Sequence, residues 1–351
     1  MTESFAQKIV VLGTGGTIAG LAMQAHDNVA YRAAQRDIGQ LLQDLPLQGL
    51  PAHALVAEQV AQLDSKDMTV AAWSALALRC HFWLDDPTVA GIVVTHGTDT
   101  LEETAFFLHH LLARTGGCRK PLVLTGAMRP ASAQAPDGPQ NLRDALAVAA
   151  DRRAAGVSVV FAGMVHGPRA VHKLHPYRLN AFSSGESGLR GVVEEGRLRP
   201  IDALPWSSND AHAGADPDRQ WLAWRLWMQP DQVWPRVEIV VSHAGVDGQL
   251  VEALLVGAEA QGRPVRGIVV AASGNGSVHA SLETALLRAQ GMGIAVQRAS
   301  RCMGSAMVPN PAASLPDAAG LSPVKSRIAL MLDLLAADAA GTGSTAVTSR
   351  P

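Results

Sequence analysis

The sequence predicts an α/β protein built of two domains, and three observations carry that expectation. The chain has 351 residues, about twice the length of an ordinary single domain. Short β-branched runs alternate with stretches of helical period, the rhythm of a mostly parallel, doubly wound sheet. The strand runs empty into loops of glycine and small polar residues, at the strand ends where open α/β sheets place their ligands.

Taken in order, Lys8 to Gly13 reads as a buried strand that ends in Gly-Thr-Gly-Gly-Thr. A second strand, Gly91 to Thr95, leads through the loop His96 to Thr100 into a helix over Leu101 to Leu112. Pro121 to Thr125 and Val157 to Ala162 supply further strands, with a helix over Gly138 to Arg153 between them. Gly191 to Arg199 reads as a hairpin that turns at Glu195-Gly196. The N-terminal domain is therefore expected over residues 1–200. Residues 201–235, rich in Pro, Asp and Trp, are expected to link the domains, with Trp221, Trp224 and Trp227 at helical spacing as an apolar face. The rhythm resumes in a smaller domain over 236–340: strands Val237 to Ser242, Gly267 to Ala272 and Ile294 to Gln297, and helices Gly248 to Gln261, Val278 to Gln290 and Val324 to Asp338. The Gly, Ser and Thr-rich tail 341–351 is expected to be disordered.

Composition narrows the class of partner. With 29 basic and 31 acidic side chains, the net charge of -2 gives no field to draw nucleic acid or an anionic membrane. A small molecule is the expected partner. Met1 to Gln7 is polar and the apolar run behind it is too short for a signal segment, so a cytoplasmic location is expected. Cys80, Cys118 and Cys302 have neither disulfide nor zinc spacing and are expected to be reduced core residues. The scattered histidines form no ligand motif, and no metal is expected.

Two loops can carry chemistry. Gly13 to Gly20 (GTGGTIAG) and Thr95 to Thr100 (THGTDT) each set threonines among small residues, where a ligand can approach the backbone and its N–H groups. The first loop could also open a nucleotide site, but no Lys-Ser/Thr follows the glycines and no acidic residue closes a second strand. A threonine hydroxyl needs a base or a polarising network before it attacks an amide. Asp99 stands beside Thr98, and a desolvated lysine could serve as base; local spacing does not say which.

Read together, TGGTIAG (Thr14 to Gly20), DSKDM (Asp64 to Met68), THGTDTLEE (Thr95 to Glu103), GAMRP (Gly126 to Pro130) and DGPQNL (Asp137 to Leu142) closely resemble the bacterial-type asparaginase and glutaminase-asparaginase family. The resemblance spans roughly residues 8–338. It implies a larger N-terminal flavodoxin-like domain with a left-handed crossover, a smaller C-terminal α/β domain, and a homotetramer built as a dimer of dimers. It further implies hydrolysis of the side-chain amide of L-asparagine, or also of L-glutamine, without a cofactor.

By the same resemblance Thr17 is the nucleophile, assisted by Tyr31, while Thr98, Asp99 and Lys173 form a second catalytic set. Gly16, Ser65, Lys66, Thr98 and Asp99 would hold substrate, with Ser65 on the α-carboxylate and Asp99 on the α-ammonium. Asn275 and Ser277 match a family loop that reaches the neighbouring subunit's site. Two departures stand out. Lys66 replaces a glutamine or serine, and a cation there would weaken the hold on an ammonium. The family's C-terminal glutamate has no counterpart in residues 303–321, whose only acid is Asp317. The competing expectations are a glutaminase-asparaginase of broader specificity and a catalytically weakened protein that binds an amino acid for regulation.

Overall fold

Val10, Val11 and Leu12 have no exposed surface, and a run this apolar on both faces can only be an interior strand of a covered sheet. A computed structural model of the protein describes residues 7–24, 27–46, 48, 52–114, 117–203, 206, 232–260 and 262–339, without the side chains of 257–260. Trp221, Trp224 and Trp227, most of the expected linker and the tail 341–351 lie outside the described residues. The chain divides into two compact units, Met1–Pro230 and Asp231–Pro351.

In the first unit the chain order is β1 (Lys8–Gly15), β2 (Leu21–Ala22), β3 (Tyr31–Arg32), α1 (Ile38–Gln43), β4 (Ala54–Leu63), α2 (Val70–Asp85), β5 (Val89–Thr95) and α3 (Leu101–Arg114). There follow β6 (Pro121–Thr125), α4 (Gly138–Ala150), β7 (Gly156–Phe161), β8 (Met164–His166), β9 (His172–Lys173), β10 (Phe182–Ser183), β11 (Gly191–Glu194) and β12 (Arg197–Pro200). One sheet runs in the order β12-β11-β8-β7-β6-β5-β1-β4. Its strands from β4 to β7 are parallel; β8, β11 and β12 extend it antiparallel. The sheet is thus mostly parallel, as expected, with an antiparallel extension at one side. The β11-β12 turn places Glu195 and Gly196 in the left-handed region, the twist a two-residue hairpin turn needs.

The parallel strands, counted along the chain, lie in the order 2-1-3-4-5, which is the flavodoxin-like order. That order reverses between β1 and β5, so the loops leaving these two strands open beside each other. Ile9, Val11, Val93 and Val123 share one core cluster with Leu142, Leu146 and Val148 of α4. The alternate residues Val10, Leu12, Ile92 and Val94 are just as buried, as a sheet covered on both faces requires.

The second unit contains β13 (Arg236–Val241), α5 (Gln249–Ala260), β14 (Val265–Ala272), α6 (Ala280–Gly291), β15 (Ala295–Ser300) and α7 (Pro323–Ala339). Its three strands form a parallel sheet in chain order. Ile268 and Val270 pack with Val251, Leu255, Leu282 and Leu286 of α5 and α6. Gly267, one residue out of phase, leaves room for Leu330 of α7 on the other face.

Elements between residues 21 and 88 were not legible in advance. β4 reads Ala-Leu-Val-Ala-Glu-Gln-Val-Ala-Gln-Leu, a composition that favours helix, and becomes an edge strand only by pairing with β1. Cys80 and Cys118 are buried, as expected, and burial pushes the Cys118 thiol up to about 12. Cys302 is exposed rather than part of the core, because it sits beyond the end of β15. Among the described residues no helix is long and apolar enough to cross a membrane.

Candidate active site

The loops after β1 and β5 meet backbone to backbone. Gly16 has φ 81, and a Cβ there would lie 2.4 Å from both Cα and N of Gly97. A Cβ on Gly97 would in turn lie 2.5 Å from Ser65 Oγ. Only glycine tolerates this approach, and it sets the residues that follow, Thr17 and Thr98, on adjoining turns. Both are buried, at 8% and 5% exposure, so a ligand that reaches them leaves water.

Thr17 opens a single 3-10 turn, and its Oγ1 lies 2.7 Å from the hydroxyl of Tyr31. Tyr31 comes from a ribbon, β2 with β3, that folds back over the loop. Its ring passes so near Gly20 that a Cβ there would lie 2.9 Å from it. The ribbon is tied down by Ala34 N to Gly16 O at 3.0 Å and by Ala22 N to Ser132 Oγ at 2.8 Å. Burial raises the Tyr31 pKa; Asp64 and Asp99 push the same way, and the Thr17 bond and Lys66 oppose them. Tyr31 is therefore a neutral phenol at neutral pH, a hydrogen-bonding partner and not a standing base.

Thr98 is engaged from another side. Lys173 Nζ donates to Thr98 Oγ1 at 2.9 Å and to Asp99 Oδ1 at 2.6 Å. An ammonium only donates, so the Thr98 oxygen accepts and its own proton is free for an outside acceptor. Lys173 lies on β9, a two-residue strand that pairs with β10, and Glu102 Oε2 holds it by accepting from Lys173 N at 2.8 Å. Asp99 remains 56% exposed at its side chain, so the carboxylate that pairs with Lys173 can still meet a ligand.

Ser65 begins the turn after β4 and is 1% exposed. Its Oγ accepts from Asp99 N at 3.2 Å, and its carbonyl accepts from Thr100 Oγ1 at 2.8 Å. Lys66, the departure noted in the sequence, follows it at the edge of the site. Its ammonium is held by Asp64 at 2.9 Å and Asp67 at 3.0 Å, which take up its charge and raise its pKa.

The motifs GAMRP and DGPQNL form a brace behind these loops, a role their sequence did not declare. Asp137 accepts from the N–H groups of Met128 and Arg129, both at 2.9 Å. Asn141 donates to Gly126 O at 3.0 Å and accepts from Ala162 N at 3.0 Å. A Cβ on Gly126 would strike the His96 carbonyl at 2.4 Å.

Of the residues singled out from sequence, Gly16, Thr17, Tyr31, Ser65, Thr98, Asp99 and Lys173 come together in the first unit, with Lys66 at the edge. Asn275 and Ser277 belong to the second unit. There the Asn275 amide is taken up by Val308, donating to its carbonyl at 3.1 Å and accepting from its N–H at 2.7 Å. The loop is also pinned by buried Arg298, which donates to Gly276 O at 3.3 Å, and by Ser300. Asn275 thus fastens its own neighbourhood. Glu102 went unnoticed in the sequence; its place two residues into α3, beside the THGTDT loop, was the available signal.

Comparison with known proteins agrees along nearly the whole chain. The family model "Asparaginase, N-terminal" matches residues 8–204, and "Glutaminase/Asparaginase C-terminal domain" matches 236–340. A glutaminase-asparaginase of Pseudomonas fluorescens is 33% identical over 342 residues, covering 95% of this chain and 88% of the relative. A probable periplasmic L-asparaginase of Haemophilus influenzae is 34% identical over 295 residues, 84% and 77% of the two chains. The crystal structure of a probable cytoplasmic L-asparaginase from Campylobacter jejuni superposes with a TM-score of 0.79 at 31% identity, covering 93% of this chain and 95% of that one.

Proposed function

The chain belongs to the asparaginase family of amidohydrolases, and from that premise we propose that it hydrolyses L-asparagine to L-aspartate and ammonia through an acyl-enzyme on Thr17. One observation carries the reading: two buried threonine hydroxyls on abutting glycine turns each have their own activating partner, Tyr31 at 2.7 Å and Lys173 at 2.9 Å. The first pair suits attack by Thr17 on the amide, and the second suits activation of the water that releases the acyl group.

In the first half-reaction Thr17 Oγ1 attacks the carboxamide carbon, and its proton passes to the Tyr31 oxygen as the phenolic proton moves on towards the departing nitrogen. Ammonia leaves and an aspartyl ester remains. In the second, Lys173 polarises the Thr98 oxygen; Thr98 orients a water onto the ester carbon, and Thr17 recovers its proton as aspartate departs. Among the described residues no protein acceptor meets the backbone N–H of Thr17 or Thr98, which leaves both able to meet a developing oxyanion. Ser65 Oγ, whose lone pair takes the Asp99 N–H, keeps its proton for the substrate carboxylate. Asp99 receives the α-ammonium. No part of this scheme calls on a cofactor.

The relative from Pseudomonas fluorescens is named a glutaminase-asparaginase, so specificity is the point to test. One methylene is worth about 1 to 3 kcal/mol in a fitted pocket. Purified protein is expected to release ammonia from asparagine with kcat/KM at least about tenfold above glutamine. Equal or higher kcat/KM for glutamine favours the broader enzyme, and tight binding without ammonia favours the regulatory reading. The proposal extends to a cytoplasmic homotetramer, a location supported by the name of the Campylobacter jejuni protein and opposed by that of the Haemophilus influenzae one. Sedimentation at the mass of four chains, and recovery from the cytosolic fraction of cells, are the expected results; a dimer or a periplasmic protein would correct it.

A further inference from the structure

We propose that Trp73, Thr104 and His96 form a one-way hydrogen-bond chain that aims the Gly97–Thr98 peptide, and so act as positioning residues for the chemistry at Thr98; the inference rests on the asparaginase reading above. The three side chains are buried on α2, on α3 and in the loop after β5, and the mechanism leaves them without a role. Trp73 Nε1 lies 2.8 Å from Thr104 Oγ1. Thr104 Oγ1 lies 2.9 Å from His96 Nε2, and His96 Nδ1 lies 2.7 Å from the Gly97 carbonyl oxygen.

The two ends fix the direction of the chain. An indole N–H can only donate, so Thr104 accepts from Trp73. A carbonyl can only accept, so the imidazole proton sits on Nδ1. Nε2 of the neutral ring then has a lone pair, and the single Thr104 hydroxyl proton goes to it. Burial supports the neutral ring, holding the His96 pKa down at about 4 against the raising effect of the Gly97 bond. Phe107 stacks on the Trp73 ring at 4.9 Å and 12°, which steadies the first donor.

The consequence falls on Thr98. A trans peptide is planar, with its carbonyl and N–H on opposite sides. Holding the Gly97 carbonyl against the imidazole therefore directs the Thr98 N–H away from the ring. Among the described residues no protein group accepts that N–H. The loop is held at the same place by His96 N to Thr125 O at 2.8 Å and by the glycine contact with Gly16.

The test uses the full-length enzyme with 15N-labelled histidine, together with Thr104→Val, Thr104→Ser and Trp73→Phe. Wild-type His96 is expected to show the neutral Nδ1–H tautomer throughout neutral pH. Thr104→Val should lower kcat about tenfold, the scale of one lost hydrogen bond, with KM unchanged. Thr104→Ser, which keeps the hydroxyl, should restore kcat. If Thr104→Val fails to fold, Trp73→Phe takes its place, with kcat lowered and KM unchanged. A proton on Nε2, a wild-type kcat in the variant that folds, or an effect confined to KM would overturn the proposal. Wild-type enzyme inactive on asparagine would instead sink the asparaginase reading, while the His96 tautomer, read without turnover, would still decide the direction of the hydrogen-bond chain.

Discussion

Thr17→Ala is expected to lower kcat for asparagine by roughly four to six powers of ten, the scale on which removal of a catalytic nucleophile acts, while the protein remains folded. The side chain is small, and among the described residues its side-chain polar partner is the Tyr31 hydroxyl. Tyr31 is only half-buried, so water can satisfy its phenol once Thr17 is truncated, and the melting temperature should move by no more than a few degrees. In the wild type, acid quenching during turnover should trap the aspartyl ester on Thr17, visible as an added aspartyl mass on the peptide that contains TGGTIAG. A loss below tenfold, or a trapped ester on Thr98, would exchange the roles of the two threonines.

That prediction draws unequally on sequence and on coordinates. The parallel strands β1, β5, β6 and β7 were legible because Val and Ile runs enclosed on both faces have no competing reading of that length. The candidate loops were legible because they follow those strands. β4 was not, since Ala, Leu, Glu and Gln suit a helix and only pairing with β1 decides. The site shows the same divide. Lys173 is 75 residues from Thr98 along the chain, and no local spacing reveals a contact of that range; family resemblance supplied it. Nor could sequence say that Lys66 turns to Asp64 and Asp67, or that the Asn275 amide is occupied by Val308.

The second large effect concerns that distant lysine. Lys173→Met removes the donor to Thr98 and leaves the Asp99 carboxylate without its cation. The expected fall in kcat is roughly 10²- to 10³-fold, or about 3 to 4 kcal/mol of barrier. It should fall more heavily on ester hydrolysis than on ester formation, because Thr17 keeps Tyr31. Rapid-mix assays should then show a burst of ammonia equal to the enzyme present, followed by slow turnover, with aspartate lacking any burst. Uniform slowing of both products would mean that Lys173 acts on acylation, and an unchanged rate would remove it from the machinery. Lys173→Arg keeps a cation but replaces the compact ammonium with a longer, planar group, and it should recover only part of the loss.

The contact between Gly16 and Gly97 has a bearing on how such an enzyme can vary. Two main chains touching without side chains between them act as a weld. Neither loop can drift, through thermal motion or through descent, unless the other drifts with it. The spacing of the two turns that carry Thr17 and Thr98 is therefore a backbone dimension, indifferent to the side chains around them. On the proposed reading, a change of substrate breadth falls to exposed groups such as Lys66 and Asp99, while the backbone gauge beneath them stays the same.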